Sequence, residues 1–167
     1  MARILETTVE LKSSPGKFLD MFVGKQQFEI SSVCPSYVEG CELREGEMGQ
    51  VGSIVVWRYV HGNIKPINMC KCYIWSDGEA KMIMEMIDSI DLENNQVTFK
   101  VLDGDLMKEY TLFLITLQVT SKEGDVGSVA HWHFQYVKIN EKVADPESLL
   151  QFAVEVSKEI DAHLFSW

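Results

Sequence analysis

The chemistry open to this chain begins with proton transfer. His131 and His133 stand two apart in the stretch 129–139. On a strand that spacing puts both imidazoles on one side, where they could share a metal or work as an acid–base pair. The other side of the same stretch carries Ala130, Trp132, Phe134 and Tyr136 and is the more apolar, which turns the histidines toward solvent. Tyr110, Tyr136 and Tyr37 are hydroxyl donors wherever their strands aim them inward. His163 sits near the end of a long helical stretch, where the dipole favours a cation, so its expected role is structural. The catalytic candidates are therefore Tyr110, Tyr136, His131 and His133.

Two other patterns hold less chemistry. Cys34, Cys41, Cys70 and Cys72 do not make a zinc ligand set, because Cys70-Lys71-Cys72 is a C-x-C pair with no second pair or nearby histidine to complete it. On a strand those two thiols would share a side, which leaves a shared metal or an oxidation-sensitive pair as the alternative to reduced thiols. No metal site is expected. Gly46, Gly49 and Gly52 could suggest a phosphate loop, but no helix follows, the Lys-Ser/Thr ending is missing and acids flank the loop. A structural hairpin loop fits better.

These groups must be held by a scaffold, and the chain outlines one. Asp145 to Leu164 reads as a long helix: Asp145 as cap, Pro146 at the first position and Glu147 at the positive end of the dipole. Leu149, Phe152, Ala153, Val156, Ile160 and Leu164 recur at steps of three and four, while Glu155, Lys158, Glu159 and Asp161 fall on or near the other side. About twenty helical residues span roughly 30 Å, a length that only a broad sheet can cover.

Arg3 to Lys12 is a strand ended by Ser13-Ser14-Pro15-Gly16; Lys17 to Val23 and Gln26 to Ser32 are two short helices. Strands follow at 37–45, 51–60, around 82–87, 96–102, 106–120 and 129–139, with turns at Asn94-Asn95, Asp103-Gly104-Asp105 and 122–125. The stretch 61–76 either lengthens its flanking strands or forms an exposed loop with apolar side chains. Met82, Met84 and Met86 share one face and Ile83, Glu85 and Ile87 the other. The methionines are either an adaptable pocket wall or simple core filling. Seven strands in consecutive hairpins make a curved antiparallel sheet whose concave side receives the long helix. One helix cannot fill that concavity, so the space between them is a candidate apolar cavity.

With 167 residues, 46% of them hydrophobic and 24% charged, a single domain over 1–167 with a substantial core is expected. A net charge of −10 at pH 7, with Lys and Arg scattered singly, argues against nucleic acid and anionic lipid. No apolar run has signal-peptide or membrane-spanning length, so no membrane association and a cytoplasmic location are expected.

The runs Gly49-Gln50-Val51-Gly52-Ser53-Ile54, Trp57-Arg58-Tyr59-Val60-His61, Ile90-Asp91-Leu92-Glu93-Asn94, Val97-Thr98-Phe99-Lys100-Val101 and 132–136, with Asp145-Pro146, resemble the major latex proteins. The run from Asp103 to Tyr110, Asp-Gly-Asp-Leu-Met-Lys-Glu-Tyr, is the most specific part of the likeness. That family belongs to the plant START-like superfamily of the birch pollen allergen and the class-ten pathogenesis-related proteins. The resemblance implies an α+β helix-grip fold, with a curved seven-stranded antiparallel sheet around a long C-terminal helix, two short helices and a large internal cavity. It implies plant cytosol, no cofactor, and ligands such as hormones, sterols, lipids or specialised metabolites. Against the family pattern the segment 63–76 looks inserted between strands.

Two functions from different classes follow. The first is binding of a small hydrophobic metabolite, with Met82, Met84, Met86, Phe99, Phe113, Trp132, Phe134, Tyr136, Phe152 and Val156 as expected lining, in a monomer or homodimer. The second is a cofactor-free cyclase or isomerase of plant specialised metabolism, as in relatives that turn an iridoid enol into a nepetalactol-type product or isomerise alkaloids. A preformed apolar cavity needs only one proton donor for such work. A polar group buried alone in the cavity with a shifted acidity would favour this second reading. An interaction protein acting through 63–76 is a third possibility.

Overall fold

A computed structural model describes residues 2–67, 72–124 and 126–165, with the backbone alone for 25–26, 61–67 and 72–80. The chain runs β1 (Arg3–Leu11), α1 (Pro15–Val23), a 3-10 helix at Lys25–Glu29, α2 (Ile30–Val33), β2 (Val38–Glu45), β3 (Ile54–Ile67) and β4 (Cys72–Asp91). Then come β5 (Gln96–Gly104), a second 3-10 helix at Asp105–Lys108, β6 (Tyr110–Ser121), β7 (Ser128–Lys138) and α3 (Glu147–Phe165). One curved antiparallel sheet holds all seven strands in the order β1-β7-β6-β5-β4-β3-β2, as the helix-grip expectation required. Strict alternation sets the inner face: on β7, Ala130, Trp132, Phe134 and Tyr136 are buried between half-buried neighbours.

α3 lies against that face. Its buried residues are Leu149, Leu150, Val156, Ser157, Ile160 and Asp161. The four aliphatic ones contribute about 2 kcal/mol each by leaving water. Two polar ties fix its position. Trp132 Nε1 on β7 donates to Ser157 Oγ at 2.8 Å, and that hydroxyl donates to the Ala153 carbonyl at 2.7 Å. Asp161, expected on the outer side, is buried instead: its carboxylate accepts from the Lys12 and Ser13 backbone N–H groups at 2.9 Å each and from Ser13 Oγ at 2.6 Å. The turn between β1 and α1 leaves those donors free, and α3 ends beside it. Asp145 also departs from its expected role, since its Oδ1 accepts from Tyr136 Oη at 2.7 Å and pairs with Lys138 Nζ at 3.0 Å. The helix begins two residues later.

Element boundaries moved where glycine or local hydrogen bonding intervened. β3 starts at Ile54 rather than Val51, because the loop before it turns through Gly46, Gly49 and Gly52, all at positive φ. The expected strand from Leu106 opens as a 3-10 helix, with Asp105 accepting from the Met82 N–H at 2.7 Å, so β6 begins at Tyr110. The second short helix, expected over 26–32, is split into the 3-10 helix and the four residues of α2. Of the two readings of 61–76, strand extension holds for the described part: Asn63–Ile67 pairs with 72–76, beyond the reach of β2, whose pairing ends at Tyr59, and of β5, whose pairing ends at Ile83, while 68–71 lie outside the described residues.

Candidate functional site

Between the concave face of the sheet and α3 lies a cavity with a free volume of about 120 Å³. Every layer supplies part of its wall: Phe22 from α1, Ile30 from α2, Val38 from β2, Trp57 and Tyr59 from β3, and Ile83 and Glu85 from β4. Phe99, Ile115, Trp132 and Phe134 come from β5 to β7, and Leu149, Phe152, Ala153 and Val156 from α3. Rings meet edge-on around it, Phe22 to Trp132 at 5.3 Å and 79° between planes, while Phe152 tilts against Tyr59 at 5.5 Å. Such contacts hold an apolar shape firmly. The volume matters for what fits. It is smaller than the roughly 300–1,000 Å³ of drug-sized sites and close to the roughly 150 Å³ engineered cavity that accepts benzene. The resemblance implied a large cavity; this one has room for about a single ring.

Glu85 is the one carboxyl among the described lining residues, and it is 6% exposed. Trp57 Nε1 donates to its Oε1 at 2.7 Å. Burial pushes its acidity up to about 7, with the Trp57 bond pulling the other way. The carboxyl therefore exchanges its proton near neutral pH, as a general acid or base must. Its charge is felt by Cys41 on β2 and Tyr59 on β3, and burial is the main cause that raises both of those groups.

A second, more polar recess of about 190 Å³ lies at the start of α3, lined by residues including Lys81, Asp105, Glu109, Tyr110, Asp145 and Ser148. Tyr59 and Leu149 line both spaces and so form the partition between them. If those two side chains moved aside, the joined volume would reach the lower end of the drug-sized range.

Of the residues expected to line the cavity, Phe99, Trp132, Phe134, Phe152 and Val156 do. Met82, Met84 and Met86 do not. They are half-buried on the opposite face of β4, and the buried residues are Ile83, Glu85 and Ile87. Over 82–87 both faces of that strand are apolar apart from Glu85, so the register of β4 between β3 and β5 decided which one points in. Phe113 is fully buried but belongs to an aromatic cluster beyond the wall, 5.2 Å from Phe134 and 5.1 Å from Tyr110.

The candidate proton donors are also elsewhere. Tyr136 is not on the cavity wall and its hydroxyl is committed to Asp145; burial is the main cause that raises it to about 12. The Tyr110 hydroxyl donates to the Ala144 carbonyl at 2.7 Å and faces the second recess. His131 and His133 occupy the outer face of β7, where His131 Nε2 lies 3.2 Å from Thr120 Oγ1. Tyr37 sets its ring edge against Phe152 at 5.9 Å, outside the lining. Cys34 and Cys41 carry free thiols, each pushed up to about 12 chiefly by burial, which keeps them unreactive. Cys70 lies outside the described residues and Cys72 is described in its backbone alone.

Sequence reasoning missed Glu85. Its signal was there: one acid inside an apolar strand run, two residues from isoleucine on either side. Alternation groups it with Ile83 and Ile87 opposite the methionines, but does not say which of the two faces turns inward.

The model of the Pathogenesis-related protein Bet v 1 family matches residues 1–167. MLP-like protein 34 of Arabidopsis thaliana is 54% identical over 162 residues, which make up 97% of this chain and 46% of that protein, so the chain spans just under half of that relative. Among solved structures, ginseng major latex-like protein 151 from Panax ginseng aligns with a TM-score of 0.82 at 32% identity, over 98% of this chain and 97% of that one. Norcoclaurine synthase from Thalictrum flavum, in complex with dopamine and hydroxybenzaldehyde, aligns with a TM-score of 0.66 at 18% identity, over 98% of this chain and 88% of that one. At that identity the likeness is one of fold.

Proposed function

The chain belongs to the pathogenesis-related protein Bet v 1 family, and on that premise we propose that its cavity takes up a small hydrophobic plant metabolite of about one ring in the cytosol. The observation that carries this reading is the cavity itself, walled by Phe22, Phe99, Trp132, Phe134, Phe152 and Val156. Water gains little in such a space, because it finds few partners there, whereas an apolar guest regains the contacts the void forfeits. Among the described residues no helix is long and apolar enough to cross a membrane. Native mass spectrometry of the purified protein, with extraction of any retained molecule, tests the proposal. One apolar molecule per chain supports it; chains that stay empty when offered single-ring compounds overturn it.

A second reading is favoured by Glu85. A buried carboxyl that is the one carboxyl among the described lining residues, with acidity near neutral, suits a cofactor-free isomerase or cyclase, giving a proton to one substrate atom and taking one from another with no net change. The norcoclaurine synthase among the structural neighbours is an enzyme with this fold. Stereoselective conversion of an added iridoid enol or alkaloid, faster than in buffer and abolished by Glu85→Gln, would move the protein from carrier to enzyme. Conversion that survives Glu85→Gln would sink this version of the idea.

A further inference from the structure

Glu85 has more hydrogen-bonding capacity than the described residues use. Among the described residues the carboxyl has one partner, the Trp57 indole on Oε1, although the side chain is 6% exposed. A neutral carboxyl carries a proton on its other oxygen, and a buried donor left unmatched costs about 1–3 kcal/mol. Ile83, Phe99, Phe134 and Val156 on the wall around it cannot accept that proton; besides the two indoles, which only donate, the Tyr59 hydroxyl is the one other polar side-chain group among the described lining residues.

We propose that the cavity selects its occupant by one oxygen atom: a small, otherwise apolar molecule bearing a single uncharged carbonyl, which accepts a hydrogen bond from Glu85 Oε2–H while Trp57 holds Oε1. This rests on the reading of the cavity as a ligand site and names the chemical class it takes. A carbonyl needs one donor and finds one. An ammonium group would instead form a buried ion pair with further N–H groups to satisfy. Besides Glu85 and the two indoles, the Tyr59 hydroxyl is the only polar side-chain group among the described lining residues. Desolvation of both charges then outweighs their attraction.

The groups facing Glu85 do not complicate its titration. Cys41 on β2 and Tyr59 on β3 lie near enough to feel its charge, and burial keeps both protonated through neutral pH. The lining residues of β5 and α3 bring no ionisable group. Glu85 thus loses its donor proton as a single group as the pH rises past neutrality, and the selection for a carbonyl fades with it.

The probes are acetophenone, ethylbenzene and benzylamine, single-ring compounds within one non-hydrogen atom of each other in size that differ in the polar group. Binding is measured by calorimetry on ligand-stripped protein near pH 6 and near pH 8.5, for the natural chain, Glu85→Gln and Glu85→Leu. Near pH 6 acetophenone is expected to bind about ten-fold tighter than ethylbenzene, the worth of one buried donor satisfied. Near pH 8.5 that preference disappears. Glu85→Gln keeps an N–H donor and cannot ionise, so its preference persists at both pH values; Glu85→Leu shows none. Because Glu85→Gln is isosteric, the comparison survives even where Glu85→Leu fails to fold. Equal affinity for acetophenone and ethylbenzene near pH 6, a preference that ignores pH in the natural chain, or tightest binding of benzylamine each overturns the proposal while leaving the cavity a binding site. Failure of all three probes to bind overturns the ligand-site reading itself.

Discussion

Replacing Glu85 by glutamine is expected to stabilise the protein at high pH and to do progressively less as the pH falls. Burial raises the Glu85 carboxyl from 4.5 to about 7 on folding. Between those values the native state holds a proton that the unfolded chain has released, so stability falls as pH rises across that window. The contribution is fully present below about 4.5 and lost by about pH 7 and above. The shift corresponds to about 3 kcal/mol, at about 1.4 kcal/mol per unit. Glutamine keeps the shape and can still accept the Trp57 hydrogen bond, but it has no charge to bury. The difference in unfolding free energy between variant and natural chain should therefore grow by about 3 kcal/mol from acid to alkaline pH, or by roughly 6–12 °C in Tm for a chain of this size. Urea titrations at half-unit steps from near pH 4 to near pH 8.5 read it directly, and subtracting the two proteins cancels every other titrating group. Parallel stability curves would refute the reasoning, because they would mean that the ionised carboxylate is solvated through the cavity.

Three further outcomes are expected. Asp161→Asn removes the charge from the carboxylate that ties α3 to the β1–α1 turn and should cost about 2–3 kcal/mol in urea without altering probe affinity; a loss below about 0.5 kcal/mol would show that the tie is solvated. Gly104→Ala should cost about 3 kcal/mol or more, since Gly104 has a φ of 110° and an added Cβ would run into the Met82 carbonyl; thermal melts decide it. Ala153→Phe projects a ring from α3 into the cavity and should abolish ligand retention in native mass spectrometry while the far-ultraviolet dichroism stays unchanged, whereas Met84→Gln on the opposite face should leave retention intact.

The long helix and the strands were readable because their signals are local. Pro146 and the three- and four-residue spacing of Leu149, Phe152, Val156 and Ile160 write α3 into the chain, and on β7 the alternation of Ala130, Trp132, Phe134 and Tyr136 against polar neighbours names the inner face before any folding. Five of the lining residues could be named in advance for the same reason. β4 is the contrast: with methionine on one side and isoleucine on the other, its two faces are almost equally apolar, and alternation says only which residues go together, not which set goes in. The one polar residue within 82–87 is Glu85, and a lone acid ordinarily breaks such a tie by pointing to solvent.

Local residue patterns were enough to read the order of elements, the antiparallel hairpins, the helix that lies across them and the family to which the chain belongs. The tertiary structure alone decided the site. Pairing of β4 between β3 and β5 turned Glu85 inward, and β3 brought the Trp57 indole to 2.7 Å from it, 28 residues away in the chain. It also committed the Tyr136 and Tyr110 hydroxyls to Asp145 and Ala144, removing them from the cavity. Periodicity follows from each residue's own neighbours, but the partner of a buried polar group is supplied by other strands and helices, and only the assembled fold brings the two together.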